Sequence, residues 1–259
     1  MWIAAALLIL ALAVLAYVLI KVRTPQRAAT APIAAPVKAP ESTKPLGGEA
    51  SPMTLPPLDQ SDALVADLVR KLSSHPQVVA WLTTSGLIRN FVVVVSNIAE
   101  GKTPAKLLQP LRPSAPFLVV QRNSDIYLDE RSYQRYRPLA QAVVSIDAAG
   151  SASLYSTLKP RIEEAYRELG EPDATFDRTL ERAIVSLVST PVREGRTRLR
   201  MQGIGYALAD TREDRLTGAQ KQLLRMGPDN ALVVQAKLRE IAMALGIPSS
   251  RLPPKDDAR

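Results

Sequence analysis

Residues 151–170, SASLYSTLKPRIEEAYRELG, are the segment from which the fold class of this chain is predicted. Apolar side chains recur there every three or four residues, which is the spacing that places them on one face of an α-helix. They are Leu154, Leu158, Ile162, Ala165 and Leu169, and Gly170 follows as a stop signal. Pro160 removes one internal hydrogen bond and predicts a kink. We expect a long helix that packs one face against other helices.

The same period extends on both sides of this segment. It starts in LDQSDALVADLVRKLSS after Pro57 and continues in HPQVVAWLTT, where proline occupies a first turn. The run Phe91–Val95 has the β-branched residues of a strand, but its length, its flanks and Gly101 favour a buried helix. Thr175 is placed to cap FDRTLERAIVSLVST, with Phe176, Leu180, Ile184 and Leu187 as its buried stripe. In the last helix, Val234, Leu238, Ile241 and Leu245 form the inward face.

Two segments have the pattern of short strands. FLVVQ and DIYLD, separated by RNS, predict a small hairpin. A further strand fits within TRLRMQGIGYALAD, and the sequence leaves open whether it pairs with that hairpin. The predicted fold is mainly α, a multi-helix globular domain at residues 58–246 with a small β-hairpin element, followed by a disordered tail at 247–259.

The chain begins with an apolar segment, Trp2 to Ile20, that contains no charge, no proline and no glycine. As a helix it is about 28 Å long, close to the hydrocarbon thickness of a bilayer. A cleaved signal peptide has a shorter apolar region and a basic start, and a buried core helix is the third alternative. We expect residues 1–22 to be one transmembrane anchor that is retained.

Residues 23–57 are rich in proline and alanine, which predicts a stiff, disordered linker. Two arguments on topology disagree. Lys21, Arg23 and Arg27 follow the apolar segment, and the positive-inside tendency would then leave the domain in the cytoplasm. A proline-rich spacer instead suits a domain that stands off a membrane in the bacterial envelope. We favour a single-pass protein of the bacterial inner membrane with a periplasmic domain.

Composition narrows the possible functions. The chain has no cysteine, which excludes disulfides, a thiol nucleophile and cysteine-bound zinc. Its formal charge of +8 comes from basic residues that are interspersed with acidic ones, and they do not form the basic stripe expected of a nucleic-acid groove. A nucleic-acid partner is therefore disfavoured, although Asn230, Lys237 and Arg239 could face DNA if the last two helices formed a helix-turn-helix.

Candidate catalytic groups are few. His75 is the single histidine, and its place before a proline at a helix start favours a capping role. Glu163, Glu164 and Glu168 share one helix and leave open a carboxylate-dependent enzyme. Lys159 and Arg167 lie four residues from Glu163, however, which is the spacing of ordinary surface ion pairs. We assign no catalytic, cofactor-binding or metal-ligating residues, and leave enzyme activity open.

One basic and aromatic stretch is a candidate partner contact. RSYQRYRP interleaves Tyr133 and Tyr136 with three arginines, a combination enriched at interfaces. Tyrosine rings on a helix more often face the core with the hydroxyl at its rim. We expect that arrangement here.

Several segments resemble one bacterial family, the domain of unknown function 3014. They include LIRNFVVVVSNIAEGKTP, LYSTLKPRIEEAYRELGEPDATFDRTLERAI and LTGAQKQLLRMGPDNALVVQAKLREIAMAL. The similarity covers roughly residues 55–246, and such proteins also share the order of apolar span, proline-rich spacer and domain. The resemblance implies membrane anchoring but no activity and no site residue.

The functional expectation follows from this layout. We expect a membrane-anchored envelope protein, held in the inner membrane by residues 2–20, whose helical domain binds an unidentified protein or cell-wall partner. The alternatives are a carboxylate-dependent enzyme that acts on envelope glycans and a nucleic-acid binder on the cytoplasmic side.

Overall fold

The computed structural model describes residues 45–104, 108–170, 175–193, 195–203 and 205–254. The chain divides into two compact units, Met1–Glu41 and Ser42–Arg259, and all of the described residues belong to the second. The predicted anchor, and the linker up to residue 44, lie outside them. Within the described ranges, no helix combines the length and apolar character needed to cross a bilayer.

The second unit is mainly helical, as predicted. Its helices are α1 Asp62–Leu72, α2 Pro76–Trp81, α3 Leu87–Ala99, α4 Arg131–Gln134, α5 Arg137–Val144, α6 Ala148–Glu168, α7 Phe176–Val188, α8 Thr211–Asp214, α9 Gly218–Leu224 and α10 Pro228–Ala244. Its strands are β1 Val119–Arg122, β2 Asp125–Leu128, β3 Arg198–Gln202 and β4 Gly205–Leu208. Short 3-10 turns lie at Leu58–Gln60, Gln109–Leu111 and Ser249–Arg251.

Helix α6 lies in the centre of the helical layer, in contact with α3 and α10. It runs unbroken through Pro160, which is exposed. Leu158, Ile162 and Ala165 are buried as predicted, but Leu169 is 46% exposed. Leu169 follows the last helical residue as its C-cap, so it no longer shares the inward face of the helix.

The Phe91–Val95 segment is helical, as its length predicted. It lies within α3, which packs against α6 and α7. Gly86 precedes the helix at φ +69°, a conformation that favours glycine. The carboxylate of Asp62 accepts hydrogen bonds from the N–H groups of Gly86 and Leu87 at 2.7 and 2.8 Å, which satisfies two free donors at the start of α3.

The β element is larger than the predicted hairpin. Strands β3 and β4 pair as a second hairpin, and the four strands make one antiparallel sheet in the order β1-β2-β3-β4. Ile126 pairs with Leu199, which joins the two hairpins. Leu128, Leu199 and Leu208 are buried on one face, against Tyr133 and Leu224. This shared apolar face accounts for the pairing that short strand patterns alone left open.

The folded region extends past both of its predicted boundaries, residues 58 and 246. Leu46 is buried, and its neighbour Gly47 donates its backbone N–H to the carbonyl of Leu245 at 2.9 Å. At the other end, Ile247 and Leu252 are buried in the same core, so residues 247–254 are not a disordered tail. Isolated apolar residues among prolines carry no periodic signal, so local sequence patterns do not predict their burial.

We call residues 46–55 the N-terminal strap, since hydrogen bonds fasten them to the helices. The hydroxyl of Ser156 donates to the carbonyl of Glu49, and Arg161 donates to the carbonyl of Leu55. Among the described residues, the core that these contacts complete runs from Leu46 to Leu252. Residues 42–259 are one compact unit with its own core, as an independently folding unit requires.

Candidate functional site

A cavity of about 340 Å³ lies between the helices of the second unit. Six helices contribute to its wall, α1, α2, α3, α6, α7 and α10. The wall side chains are almost all aliphatic or aromatic, and they include Val69, Val78, Ile88, Phe91, Leu154, Leu158, Ile184 and Leu238. A volume of this size reaches the range of about 300–1,000 Å³ that small-molecule sites occupy.

An empty apolar cavity of this volume would be costly. Enclosed cavities destabilise proteins by about 24 cal/mol per Å³, so about 8 kcal/mol is an upper bound for 340 Å³. A typical domain is stable by only about 5–15 kcal/mol, and interiors are normally close-packed. A bound apolar ligand would recover much of this free energy, which makes the cavity a candidate ligand site.

Trp81, at the end of α2, lines the cavity. Its indole Nε1–H is buried and has no hydrogen-bond partner among the described residues. Burying such a donor without an acceptor costs on the order of 1–3 kcal/mol. The indole also provides an optical probe of this wall.

A polar recess adjoins the cavity at the end of α1. It is lined by Arg70, Lys71, Leu72, Ser73, Ser74, His75 and Ser145, and we call it the basic recess. Leu72 and Ser73 also line the cavity, so the two spaces share a wall. Of the described residues that line the basic recess, two are basic, Arg70 and Lys71, and none is acidic.

Hydrogen bonds order the floor of the basic recess. The hydroxyl of Ser145 donates to the carbonyl of Ala142 at 2.7 Å, which leaves Ser73 as the donor in the 2.6 Å contact between the two serine hydroxyls. The backbone N–H of His75 donates to the Ser73 hydroxyl in turn. This chain of hydrogen bonds joins the ends of α1 and α5 to the start of α2.

His75 has the capping role predicted for it. Its Nδ1 accepts a hydrogen bond from the backbone N–H of Gln77 at 3.2 Å, at the start of α2. In the neutral ring the proton then lies on Nε2, which remains a donor. His75 therefore combines a structural hydrogen bond with a place in the basic recess.

Each of the three glutamates of α6 contacts a different partner. Glu164 pairs with Arg161 at 2.6 Å, and Glu168 pairs with Arg89 at 2.6 Å. The hydrogen bonds from Arg89 hold the pKa of Glu168 below its usual range. The carboxylate of Glu163 accepts the backbone N–H of Phe176 and so caps α7.

The ion pairs predicted for Glu163 are wrong. Lys159 pairs instead with Asp177 at 2.5 Å, and the guanidinium of Arg167 donates to the backbone carbonyl of Glu163. Thr175 precedes α7 as expected, but its side chain makes no capping hydrogen bond, since Glu163 supplies the acceptor. Burial, with a smaller contribution from the charge of Asp177, raises the pKa of Glu163 above its usual range.

Asp177 is the centre of a cluster that the sequence analysis did not identify. It accepts hydrogen bonds from the hydroxyl of Tyr155 at 2.5 Å and from the backbone N–H of Leu46 at 3.2 Å, in addition to its ion pair with Lys159. Burial, and then the hydrogen bond to Asp177, raise the pKa of Tyr155 above its usual range. The cluster fastens the N-terminal strap to α6 and α7.

The tyrosines of α4 and α5 face the core, as predicted. Tyr136 is 5% exposed, and the hydroxyl of Tyr133 lies 2.9 Å from that of Thr197. The guanidinium of Arg135 lies 5.5 Å from the ring centre of Phe117 and 4.8 Å from that of Tyr136. This part of the stretch links the helices to the sheet.

The residues considered for DNA contact make internal contacts. Asn230 donates to the backbone carbonyls of Tyr133 and Met226. Lys237 pairs with Glu240, and Arg239 donates to the carbonyls of Pro253 and Pro254. Among the residues with described positions, no group of three or more His, Asp or Glu side chains could hold a metal ion.

Sequence reasoning missed both the cavity and the basic recess. A cavity arises from the distances between helix axes, which no periodic pattern encodes. The basic recess did leave a trace, because Arg70, Lys71 and His75 lie within six consecutive residues around a helix end. The sequence analysis considered His75 alone.

A comparison with protein families assigns the chain to one of them. The family described as "Protein of unknown function (DUF3014)" matches residues 87–242, which is more than half of the chain, and the protein belongs to this family. The resemblance found in the sequence is thereby confirmed. No curated protein and no solved structure matches the chain.

Proposed function

We propose that this DUF3014 protein is a membrane-anchored binding protein whose helical unit holds a hydrocarbon chain. The observation that carries the proposal is the apolar cavity of about 340 Å³ between six helices. Its wall offers contacts to hydrocarbon and almost no hydrogen bonds, so hydrophobic burial is the main source of affinity, at about 0.8 kcal/mol per methylene. Binding requires no catalytic group.

The N-terminal segment supports a location at the inner membrane. Residues 2–20 have the length and composition of a single span, and the proline-rich linker would let a periplasmic domain reach ligands at or near the bilayer. A bilayer is a ready source of hydrocarbon chains. The anchor is testable by itself: full-length protein should stay with membranes through an alkaline wash, while residues 42–259 should be released.

The other functional classes have less support. Glu164 and Glu168 are ion-paired and Glu163 caps a helix, which is a structural use of the carboxylates that a glycan-hydrolysing enzyme would need. Lys237 and Arg239 make internal contacts, which argues against their use in nucleic-acid recognition.

The protein or cell-wall partner expected from the sequence stays a prediction. One specific observation favours a protein partner as a second function: Phe117, Met201 and Tyr206 are exposed on or beside the sheet, and the rings of Phe117 and Tyr206 lie 6.0 Å apart. A photo-crosslinking residue at position 201 should capture such a partner in cells, while the same residue at the polar position Ser124 should not.

Ligand binding can be followed through a natural reporter. The chain has two tryptophans, Trp2 and Trp81, so residues 42–259 contain Trp81 alone, in the cavity wall. Titration with 12-bromododecan-1-ol should quench its emission in a saturable manner, because the bromine atom would come to lie near the indole. Unbrominated dodecan-1-ol should compete and reverse the quenching.

A blocked variant provides the control. Ala183 lines the cavity from α7, and Ala183→Phe should occupy part of the volume and weaken quenching by tenfold or more, with Ala183→Leu as a milder second variant. Circular dichroism would verify that each variant is folded. Quenching that does not saturate, or that is the same in folded variants and in the unmodified protein, would refute the proposal.

A further inference from the structure

We infer that the ligand is an anionic single-chain amphiphile, a fatty acid, with its hydrocarbon chain in the cavity and its carboxylate in the basic recess. The inference rests on the proposed function and adds the chemical class of the ligand. It depends on two spaces of opposite character, one almost wholly apolar and one basic, that are both lined by Leu72 and Ser73.

The volume of the cavity sets the size of the hydrocarbon. An apolar protein cavity of about 150 Å³ accommodates benzene, so about 340 Å³ accommodates on the order of twelve carbon atoms. That is one medium-length acyl chain. The two chains of a phospholipid, or an apolar peptide helix about 10 Å in diameter, would exceed this space.

The polar end of such a ligand has to lie outside the cavity. A carboxylate in an apolar interior without compensating charge would carry a large desolvation penalty. A head group in the basic recess would avoid most of this penalty, because the recess shares Leu72 and Ser73 with the cavity and includes the exposed side chains of Lys71 and Ser74. A head group at this position would keep part of its hydration.

The charges of the basic recess favour an anion over a cation or a neutral head. Arg70 and Lys71 carry permanent positive charges, and the ring of His75 presents an Nε2 donor. Two carboxylates of the described residues lie on neighbouring segments. Asp67 pairs with Arg70 at 2.7 Å and offsets its charge, and Asp147 accepts the backbone N–H groups of Ala149 and Gly150, so the attraction for an anion rests mainly on Lys71.

The pairing of Arg70 with Asp67 makes Lys71 the better residue to alter. Lys71 is exposed, lines the basic recess, and lies one residue before Leu72, which lines both spaces. Its replacement changes the charge of the basic recess without removing an apolar contact from the cavity. Arg122, exposed on the hairpin of the sheet, provides a matched charge reversal at another surface.

The test compares two ligands that differ only in the head group. Residues 42–259 are titrated with dodecanoate and with dodecan-1-ol at low ionic strength, and binding is measured by competition with the brominated alcohol at Trp81. Each exposed charge pair contributes about 2- to 5-fold in affinity, so dodecanoate should bind at least about 2- to 5-fold more tightly than the alcohol. Added salt should reduce this difference through screening.

Charge reversal locates the head group. Lys71→Glu replaces an attraction by a repulsion of similar size and should weaken dodecanoate binding roughly 4- to 25-fold, while dodecan-1-ol binding stays within about twofold. Arg122→Glu should change neither affinity. Preserved affinity for the alcohol also shows that the Lys71→Glu variant is folded with an intact cavity.

The outcomes separate this inference from the proposed function. If neither ligand binds, the proposed function fails, and the inference fails with it. If both ligands bind with equal affinity, or if Lys71→Glu weakens both equally, the anionic head group in the basic recess is refuted and the apolar ligand site remains. If Arg122→Glu weakens dodecanoate binding as much as Lys71→Glu does, the preference reflects net charge and the inference is also refuted.

Discussion

Filling the cavity should stabilise the protein, which is unusual for a large substitution in a core. Ala183 on α7 is 4% exposed and lines the cavity, so a leucine there would extend into open volume. Three added carbon atoms contribute about 2.4 kcal/mol of hydrophobic burial at 0.8 kcal/mol each. Ordering the leucine side chain costs about 0.5–1 kcal/mol. We therefore expect Ala183→Leu to raise the free energy of unfolding by about 1.5–2 kcal/mol.

The matched variant Ala165→Leu should instead lower the free energy of unfolding. Ala165 on α6 is 2% exposed and belongs to the same core, but it is not one of the residues that line the cavity. A leucine there would be forced into packed surroundings, at a cost of about 1–3 kcal/mol. The two substitutions are chemically identical and both lie in helices, so helix propensity cancels in the comparison.

Urea unfolding of residues 42–259 measures both effects. Ala183→Leu should shift the midpoint upward at unchanged slope, and in thermal unfolding it should raise Tm by about 3–8 °C for a domain of this size. The same variant should bind dodecan-1-ol more weakly, so stability and affinity should move in opposite directions. A loss of stability like that of Ala165→Leu would show that the space beside Ala183 is closed, and would refute the cavity argument.

Three further substitutions test other parts of the structure. Gly47→Ala should destabilise the protein by about 2 kcal/mol or more in urea, because φ is +86° and a Cβ would lie 2.7 Å from the carbonyl oxygen of Ala152. Gly48→Ala is the control: its φ is +73° but its surroundings are open, so it should cost only about 1–2 kcal/mol. Equal losses in the two variants would argue against the close approach of the N-terminal strap. Glu163 has a raised pKa in the folded state, so the folded protein holds this proton more tightly than the unfolded chain does, and its contribution to stability falls as pH rises through and above the ordinary glutamate range. Glu163→Gln, which keeps a carbonyl acceptor for α7, should flatten that part of the stability-pH profile, and a profile identical to that of the unmodified protein would contradict this assignment. Gln235→Leu should cost about 1–3 kcal/mol in thermal unfolding, because the two N–H groups of the buried amide are shared among the carbonyls of Leu187, Val188 and Thr190, at and just after the end of α7. A neutral effect would show that those carbonyls find other donors.

Helix positions were predictable where the apolar period was long. The α6 segment carries its period across five turns, and the structure departs from it only at Leu169, past the last helical residue. In α3, the β-branched run favoured a strand locally, while the length of the segment and its flanking glycines favoured a helix. The helix prevailed because α6 and α7 cover two of its sides.

The sheet shows where local patterns become insufficient. Each hairpin is encoded by neighbouring residues, and the first was predicted. The pairing of Ile126 with Leu199 joins strands more than 70 residues apart, and its stability comes from a shared apolar face against Tyr133 and Leu224. Nothing within either hairpin specifies the other.

The candidate site was less predictable than the fold. The capping role of His75 followed from a local rule, because a cap involves only residues next to each other in the chain. The partner of Lys159 did not follow from a local rule, because its carboxylate partner is Asp177 on another helix and not the expected Glu163 on the same helix. Spacing along a helix shows which ion pairs are geometrically possible, and the packing of the helices decides which of them form.

By itself, the amino-acid sequence determined the helical class, the first hairpin, the family, and the absence of cysteine chemistry, because these depend on composition and on contacts within a few residues. Only the tertiary structure decided that six helices leave an apolar cavity, that the basic recess adjoins it, and that Leu46 and Leu252 belong to the core. The physical reason is that an enclosed volume depends on the distances between whole helices. Those distances are set by all of the packed side chains together and are not encoded in any single segment.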